Sequence, residues 1–133
     1  MQKRSLAISR KYYMYRRKTL EERPKLIKEF LERLVEAIGE YSTIVVFGGR
    51  GDPRTLYSSE PRDLDVLVIT TKPVEEVEEK IYKLKPRRLP VDIVVIDKEH
   101  FNREDPLFKQ MLRRHIVVHD RLGVMRKLDR ARE

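Results

Sequence analysis

The chain contains no cysteine among its 133 residues. The lack of cysteine excludes disulfides, a thiol nucleophile and a thiolate metal site. Long apolar runs are also missing, since the apolar stretches are only strand-sized, and no signal peptide or membrane span is visible. The sequence therefore predicts a cytoplasmic protein that binds no membrane. Its length suits one domain with a single core, and no internal repeat is visible.

Acidic residues are absent from the first twenty positions. This segment holds seven basic residues, so the rest of the chain contributes only +1 to the net charge of +8. We divide the chain into a basic N-terminal arm, residues 1–20, and a domain, residues 21–133. The arm could bind RNA through cations on phosphates and tyrosines on bases, or be a solvated tail or a helix packed on a neighbour. Its basic residues and tyrosines are Lys3, Arg4, Arg10, Lys11, Tyr12, Tyr13, Tyr15, Arg16, Arg17 and Lys18.

Charged residues make up 39% of the chain, and lysine, arginine and glutamate dominate this fraction. Such a composition is typical of heat-adapted proteins, which favour networks of surface ion pairs. The composition therefore predicts a thermophilic source.

Apolar periodicity divides the domain into helices and strands. Helical spacing covers Leu20 to about Ile38, with Pro24 in the first turn and Gly39 as a stop signal, while residues 50–62 are turn-forming. The remaining elements are strands at Ile44–Phe47, Leu64–Thr70, Val91–Ile96 and Ile116–His119, and helices at Pro73–Leu84, Asp105–Arg114 and around Leu122, Met125 and Leu128. This order predicts an α/β (α+β) fold, a small mixed β-sheet of about four strands flanked by helices.

Three aspartates at strand starts form the centre of the candidate site. Asp63 and Asp65 are two residues apart and therefore share one face of a strand, with Leu64 on the other. Two adjacent carboxylates repel and raise each other's pKa unless a cation lies between them. Asp92 begins the next strand, where it could supply a third ligand or simply mark a solvated strand end. The spacing predicts a site for a divalent metal, which prefers oxygen ligands.

An apolar run ends just upstream at Gly48 and Gly49. Glycine lets the backbone turn sharply and approach an anion, so that its N–H groups can bind phosphate. Arg50 and Arg54 in the following loop could add phosphate contacts or lie exposed to solvent. No Gly-Lys-Ser/Thr follows the glycines, which disfavours a P-loop ATPase. Glycines and aspartates together predict a metal site that faces a polyphosphate.

The order of these motifs resembles the polymerase-beta-type nucleotidyltransferase superfamily. The resemblance rests on Val46–Gly49, Asp63–Val68 and Val91–Val95, and it covers roughly residues 25–120. The size of the chain and its tail segment Met111–His119 are similar to the minimal nucleotidyltransferases of prokaryotes, in which a comparable helix-to-strand segment closes the domain. The resemblance implies a nucleotidyltransferase-like fold.

Two departures from the minimal pattern stand out. Those members usually have Gly-Ser where this chain has Gly48 and Gly49, although a double glycine occurs in tRNA-end-adding enzymes. Arg62 stands where a small serine commonly precedes the first aspartate, and the stretch from glycines to aspartates is longer than usual.

The resemblance implies an enzyme that uses Mg²⁺ or Mn²⁺ to transfer a nucleotidyl group to a hydroxyl of a protein, an RNA or a small molecule. The group would be AMP from ATP, or its equivalent from another nucleoside triphosphate. By this resemblance, Gly48 and Gly49 would bind the triphosphate. Asp63 and Asp65 would hold the nucleotide-bound metal and share the catalytic one. Asp92 would complete the catalytic metal and help deprotonate the attacking hydroxyl.

The resemblance also implies partners. Minimal members often work beside a small helical partner protein in a toxin–antitoxin-like pair, and a homo-oligomer is a further expectation. The rival interpretation is a catalytically degenerate module of the same fold, which binds nucleotide, nucleic acid or a partner through the basic arm.

Overall fold

The computed structural model describes residues 2–125, with side chains at residues 11, 14, 16–18 and 20–125. The helices are α1 (Gln2–Ile38), α2 (Val74–Leu84) and α3 (Pro106–Met111), and the strands are β1 (Ser42–Phe47), β2 (Leu64–Thr70), β3 (Val91–Asp97) and β4 (His115–Asp120). A single 3₁₀ turn at Gly48–Arg50, called the glycine turn below, follows β1. Over this described range, every helix is too short or too polar to cross a membrane.

The four strands form one mixed sheet in the order β3-β2-β1-β4. β1 runs antiparallel to both β2 and β4, whereas β2 and β3 are parallel. The end of β1 and the starts of β2, β3 and β4 therefore meet at one end of the sheet. The predicted fold class, a four-stranded mixed sheet flanked by helices, is confirmed.

Both faces of the sheet are covered, which explains why its central strands are continuous apolar runs. α1 and α2 cover the first face, where Leu64 and Val91 are buried. α3 and the residues after β4 cover the second face, through Phe108 and Met125. Because neighbouring residues of a strand point to opposite faces, Asp65 and Asp92 belong to the second face.

Helix α1 begins at Gln2, far before the predicted start at Leu20. The segment that composition assigned to an arm is thus helical and continuous with the first helix of the domain. Pro24 lies inside this helix and not in its first turn, although an interior proline removes a backbone hydrogen bond and costs about 3 kcal/mol. Burial of Ile27 and Phe30 directly after it offsets this cost.

The other elements agree with the sequence prediction within a few residues. α1 ends at Ile38, just before the predicted stop at Gly39, and residues 50–62 are irregular beyond the glycine turn. α3 ends at Met111 and not near Arg114, because the chain there turns into β4. The last predicted helix, around Leu122, Met125 and Leu128, extends outside the described residues.

Candidate functional site

Asp65 lies at the centre of the sheet end where the motifs meet. It is paired with Asp92 in the ladder between β2 and β3. On its other side it is paired with Phe47, the last residue of β1. The glycine turn begins at the next residue, Gly48. The structure therefore brings the predicted glycines to the same place as two of the three predicted aspartates.

The Asp65 carboxyl has a raised pKa. Burial is the largest cause, because it removes water from the charged form, and the charges of Asp92 and Asp63 add to it together with a side-chain hydrogen bond to Asp92. The charges of Asp63 and Asp92 thus both act on the Asp65 carboxyl. A cation bound among them would reverse the effect, since it favours the ionised form.

The carboxylates fit a divalent cation that is completed by its substrate. Within residues 2–125, no three side chains of His, Cys, Asp or Glu form a ready-made group of metal ligands. Mg²⁺ is commonly held by only one or two carboxylates together with phosphate oxygens and water. Asp65 and Asp92 match this minimum because they are neighbours across the ladder. Asp63 is exposed just before β2, and its place as a ligand stays a prediction.

Gly48 packs against the Asp65 carboxylate. Its φ of +69° lies in the left-handed region, which glycine adopts without strain. A Cβ at this position would lie 2.7 Å from Asp65 Oδ2. The turn therefore requires glycine at position 48 for two reasons, its backbone conformation and its close approach to the carboxylate.

Arg50 is fully buried, with a relative exposure of 0%. Its guanidinium donates hydrogen bonds of 2.8–3.2 Å to five backbone carbonyl oxygens of the following loop. These carbonyls belong to Thr55, Leu56, Ser58, Glu60 and Arg62. The structure therefore corrects both interpretations made from sequence, because Arg50 is neither a phosphate contact nor a solvent-exposed arginine. It organises the loop that leads to the aspartates.

The residue before Asp63 is held by two arginines. The carbonyl oxygen of Arg62 accepts a hydrogen bond of 3.0 Å from Arg50 Nε and another of 3.0 Å from Nη1 of Arg23, which lies on α1. These contacts fix the chain as it enters β2. Sequence reasoning missed Arg23, since an arginine on a polar stretch of helix carries no motif.

Arg54, the other predicted phosphate contact, is exposed and paired with Asp52. Its Nε and Nη2 lie 3.2 and 3.0 Å from the two carboxylate oxygens of Asp52. Hydrogen bonds from the side chain and backbone of Arg54 lower the pKa of Asp52, which also pairs with Arg114 at 3.4 Å. A phosphate contact by Arg54 stays a prediction.

The two departures from the minimal motif lie against each other. A Cβ at Gly49 would lie 3.2 Å from Nη1 of Arg62. The Arg62 side chain is 47% exposed, and its Nε donates a hydrogen bond of 2.6 Å to Glu60. The glycine at position 49 thus leaves room for a guanidinium over the turn.

Comparisons with known proteins identify the family of the domain. The family model described as a nucleotidyltransferase domain matches residues 25–119. Among solved structures, the chain is similar to a "putative nucleotidyltransferase" from Sulfolobus solfataricus, with 18% identity, a TM-score of 0.46 and coverage of 75% of this chain and 82% of that chain. No curated protein matches the sequence. Because the family model covers well over half of its length, the chain belongs to the nucleotidyltransferase domain family.

Proposed function

We propose that the protein is a divalent-metal-dependent enzyme that transfers AMP from ATP to a hydroxyl group of an acceptor. One observation carries the proposal: Gly48, at φ +69°, packs directly against Asp65 Oδ2. A triphosphate bound by the backbone of the glycine turn would therefore lie beside the carboxylates that hold its metal. Membership of the nucleotidyltransferase domain family supports the reaction class.

The aspartates and the glycine turn have different roles in the proposed reaction. Asp65 and Asp92 would hold the metal with Asp63, and Mg²⁺ or Mn²⁺ there would neutralise phosphate charge and lower the pKa of the attacking hydroxyl. The backbone of the glycine turn would orient the triphosphate. Asp92, which is exposed, would accept the proton of the hydroxyl. The hydroxyl oxygen then bonds to the α-phosphorus, the bond to the β-phosphate breaks, and pyrophosphate leaves.

Transfer of a label from the α-phosphate of ATP tests this function. We expect the protein with Mg²⁺ and a cell lysate to label an acceptor, and EDTA to prevent the labelling. Digestion of the labelled product with protease or ribonuclease then tells a protein acceptor, such as a small helical partner, from an RNA. Intact ATP in every reaction would contradict the proposal and favour the rival, non-catalytic module.

Arg62 is positioned to supply a positive charge to the triphosphate. Its guanidinium lies over Gly49 in the glycine turn and is about half exposed. A hydrogen bond from a charged donor to an anion contributes about 1.5–3 kcal/mol. We infer that Arg62 takes the place of the hydroxyl that the usual Gly-Ser motif offers to a phosphate.

Arg62→Ala is expected to weaken Mg²⁺-dependent binding of ATP roughly tenfold, because a tenfold change corresponds to about 1.4 kcal/mol. Addition of Gly49→Ser to this variant should restore part of the affinity, since the space over the turn is then empty and a hydroxyl can fill it. Gly49→Ser alone should weaken binding, because its Cβ crowds Arg62 Nη1. Isothermal titration measures all four corners of this double-mutant cycle.

Arg33→Ala is the matched control for Arg62→Ala, because Arg33 is exposed on α1, away from the glycine turn. It should bind ATP as the wild type does. If Arg62→Ala binds ATP with unchanged affinity, Arg62 does not contact the bound triphosphate.

Helix α1 offers a second binding surface, for which RNA is the proposed partner. Its cations recur at seven-residue steps, which return to nearly the same side of a helix after two turns. One stripe of the helix thus carries the positions of Lys3, Arg4, Arg10, Lys11, Arg17 and Lys18. Lys11, Arg17 and Lys18 are exposed. A row of cations without acidic residues complements a phosphate backbone.

Replacement of the six stripe cations by glutamine should weaken RNA binding and reduce its salt dependence. Each phosphate contact of a single strand contributes about 0.7 to the slope of log affinity against log salt, so the slope should fall by up to about 4. Filter binding at several salt concentrations measures this. Lys98→Gln with Lys109→Gln, two exposed cations outside α1, is the control. If the variant with six substitutions keeps the slope of log affinity against log salt, the stripe does not contact RNA and is only a solvated face.

A further inference from the structure

A cavity of about 400 Å³ opens beside the glycine turn, between the end of β1 and α3. Its volume lies within the roughly 300–1,000 Å³ that small-molecule sites occupy. Phe47 and Gly48 form its wall on the β1 side. Both residues are also neighbours of Asp65, through the ladder and through the close approach of Gly48. The cavity and the carboxylates therefore lie on opposite sides of the glycine turn.

The strand order places the cavity opposite the aspartates. Phe47 is paired with Asp65 of β2 on one side and with His115 of β4 on the other. α3 leads into β4, so its side chains reach the cavity from the β4 side. Neighbouring strands are about 4.8 Å apart. A single nucleotide can therefore lie across the end of β1, with phosphates towards Asp65 and the nucleoside towards α3.

The cavity wall on the α3 side is apolar. Leu107 and Met111 are one turn apart on α3 and line the cavity together with Phe47. Leu107 is 62% exposed, whereas its neighbour Phe108 is buried in the second core. A flat apolar group bound in the cavity would cover it.

The polar groups around the cavity are one amide and two cations. Gln110 presents both a hydrogen-bond donor and an acceptor, and Arg113 and Arg114 lie at the same opening. Among the side chains that the structure describes, no carboxylate lines the cavity. An amide that donates and accepts together matches the N6 and N7 edge of adenine, whereas guanine offers two acceptors there. The arginines suit the phosphates or ribose oxygens of an anionic ligand.

We propose that this cavity is the nucleoside site of the nucleotidyl donor and that it selects adenosine, with the base against Leu107 and Met111 and its edge on Gln110. The inference rests on the proposed function, because it assumes that the triphosphate binds at the glycine turn. It adds the place where the adenine base binds and the residues that read it.

Isothermal titration in Mg²⁺ with ATP, GTP and inorganic tripolyphosphate tests the proposal. Wild-type protein should bind ATP more tightly than either of the other two ligands. Leu107→Ser should weaken ATP binding about fivefold or more and leave tripolyphosphate binding unchanged, because it alters only the nucleoside wall. Gln110→Ala should bring ATP and GTP to similar affinities.

Two control variants carry similar substitutions at residues that do not line the cavity. Val117→Ser alters an exposed apolar residue on β4, and Lys109→Ala alters an exposed residue on α3. Both should bind all three ligands as the wild type does. Tripolyphosphate binding also reports that each variant is folded.

The outcomes separate this proposal from the proposed function. Equal affinity of the wild type for ATP and tripolyphosphate would overturn the nucleoside site and leave the triphosphate site intact. Unchanged ATP binding in both Leu107→Ser and Gln110→Ala would overturn it as well. Binding of neither ATP nor tripolyphosphate in Mg²⁺, with no label transfer, would instead overturn the proposed function and this inference with it.

Discussion

Replacement of Arg50 by methionine is expected to lower the free energy of unfolding by about 3–5 kcal/mol. The side chain is fully buried, and its guanidinium binds five carbonyl oxygens of one loop. Methionine fills a similar volume but donates no hydrogen bond. The carbonyls of Leu56 and Ser58 would lose the donor described for them, while those of Thr55, Glu60 and Arg62 would each keep one other donor. Denaturant unfolding followed by circular dichroism measures the loss as a lower midpoint.

The matched control is Arg54→Met in the same loop. Arg54 is exposed and contacts only Asp52 among the described contacts, so its loss should lower the unfolding midpoint far less than the loss of Arg50. Equal destabilisation by the two variants would mean that the loop is not organised by Arg50. Lysine at position 50 should also destabilise, because an ammonium group cannot reproduce the planar fork of a guanidinium.

Replacement of Asp65 by asparagine is expected to reduce the rate of nucleotidyl transfer by about 10³-fold or more. A bound metal contributes several kcal/mol of stabilisation to the transition state, and each 1.36 kcal/mol corresponds to tenfold in rate. Asparagine keeps the shape of the side chain and removes the charge between Gly48 and Asp92. Rates of label transfer at saturating ATP measure the effect.

The same variant should stabilise the metal-free protein at neutral pH by about 0.5–1 kcal/mol, because the repulsion between neighbouring carboxylates is removed. The sign follows from the raised pKa of Asp65. The folded state holds a proton to higher pH than the unfolded state, so the free energy of unfolding falls as the pH rises from the ordinary pKa through the raised one. The wild type should show this fall, and Asp65→Asn should not.

Mg²⁺ completes the test of Asp65. Added Mg²⁺ should raise the melting temperature of the wild type and leave that of Asp65→Asn unchanged, since a ligand stabilises only a protein that binds it. Glu32→Gln removes one negative charge from an exposed position of α1 and should behave as the wild type. An active Asp65→Asn variant would contradict the assignment of the metal site.

The sequence predicts the strands. It also predicts that the two glycines lie close to the aspartates. Strands such as Leu64–Thr70 are buried on both faces and therefore appear as short, continuous apolar runs between turn formers. The two-residue spacing of Asp63 and Asp65 predicts a common face, although Asp63 lies just before β2. The pairing of Asp65 with Asp92 follows from a parallel ladder, which the alternation of helices and strands favours.

The rest depends on contacts that leave no periodic signal. Arg50 is buried because irregular backbone folds around its guanidinium, and nothing in its neighbours distinguishes it from a solvated arginine such as Arg54. The early start of α1 was missed because its first half has no apolar stripe. Arg62 was noticed only as a departure from a motif, and its place over Gly49 required the path of the whole loop.

The order of the strands in the sheet also determines when the site can form. β1 and β2 are the first strands to be synthesised, whereas α3 and β4, the strand at the far edge of the sheet, are synthesised after β3. Domains generally fold as units during synthesis. A nascent chain that ends before α3 would carry its acidic side chains without the opposite wall of the cavity, so nucleotide binding should appear only after α3 and β4 have been translated.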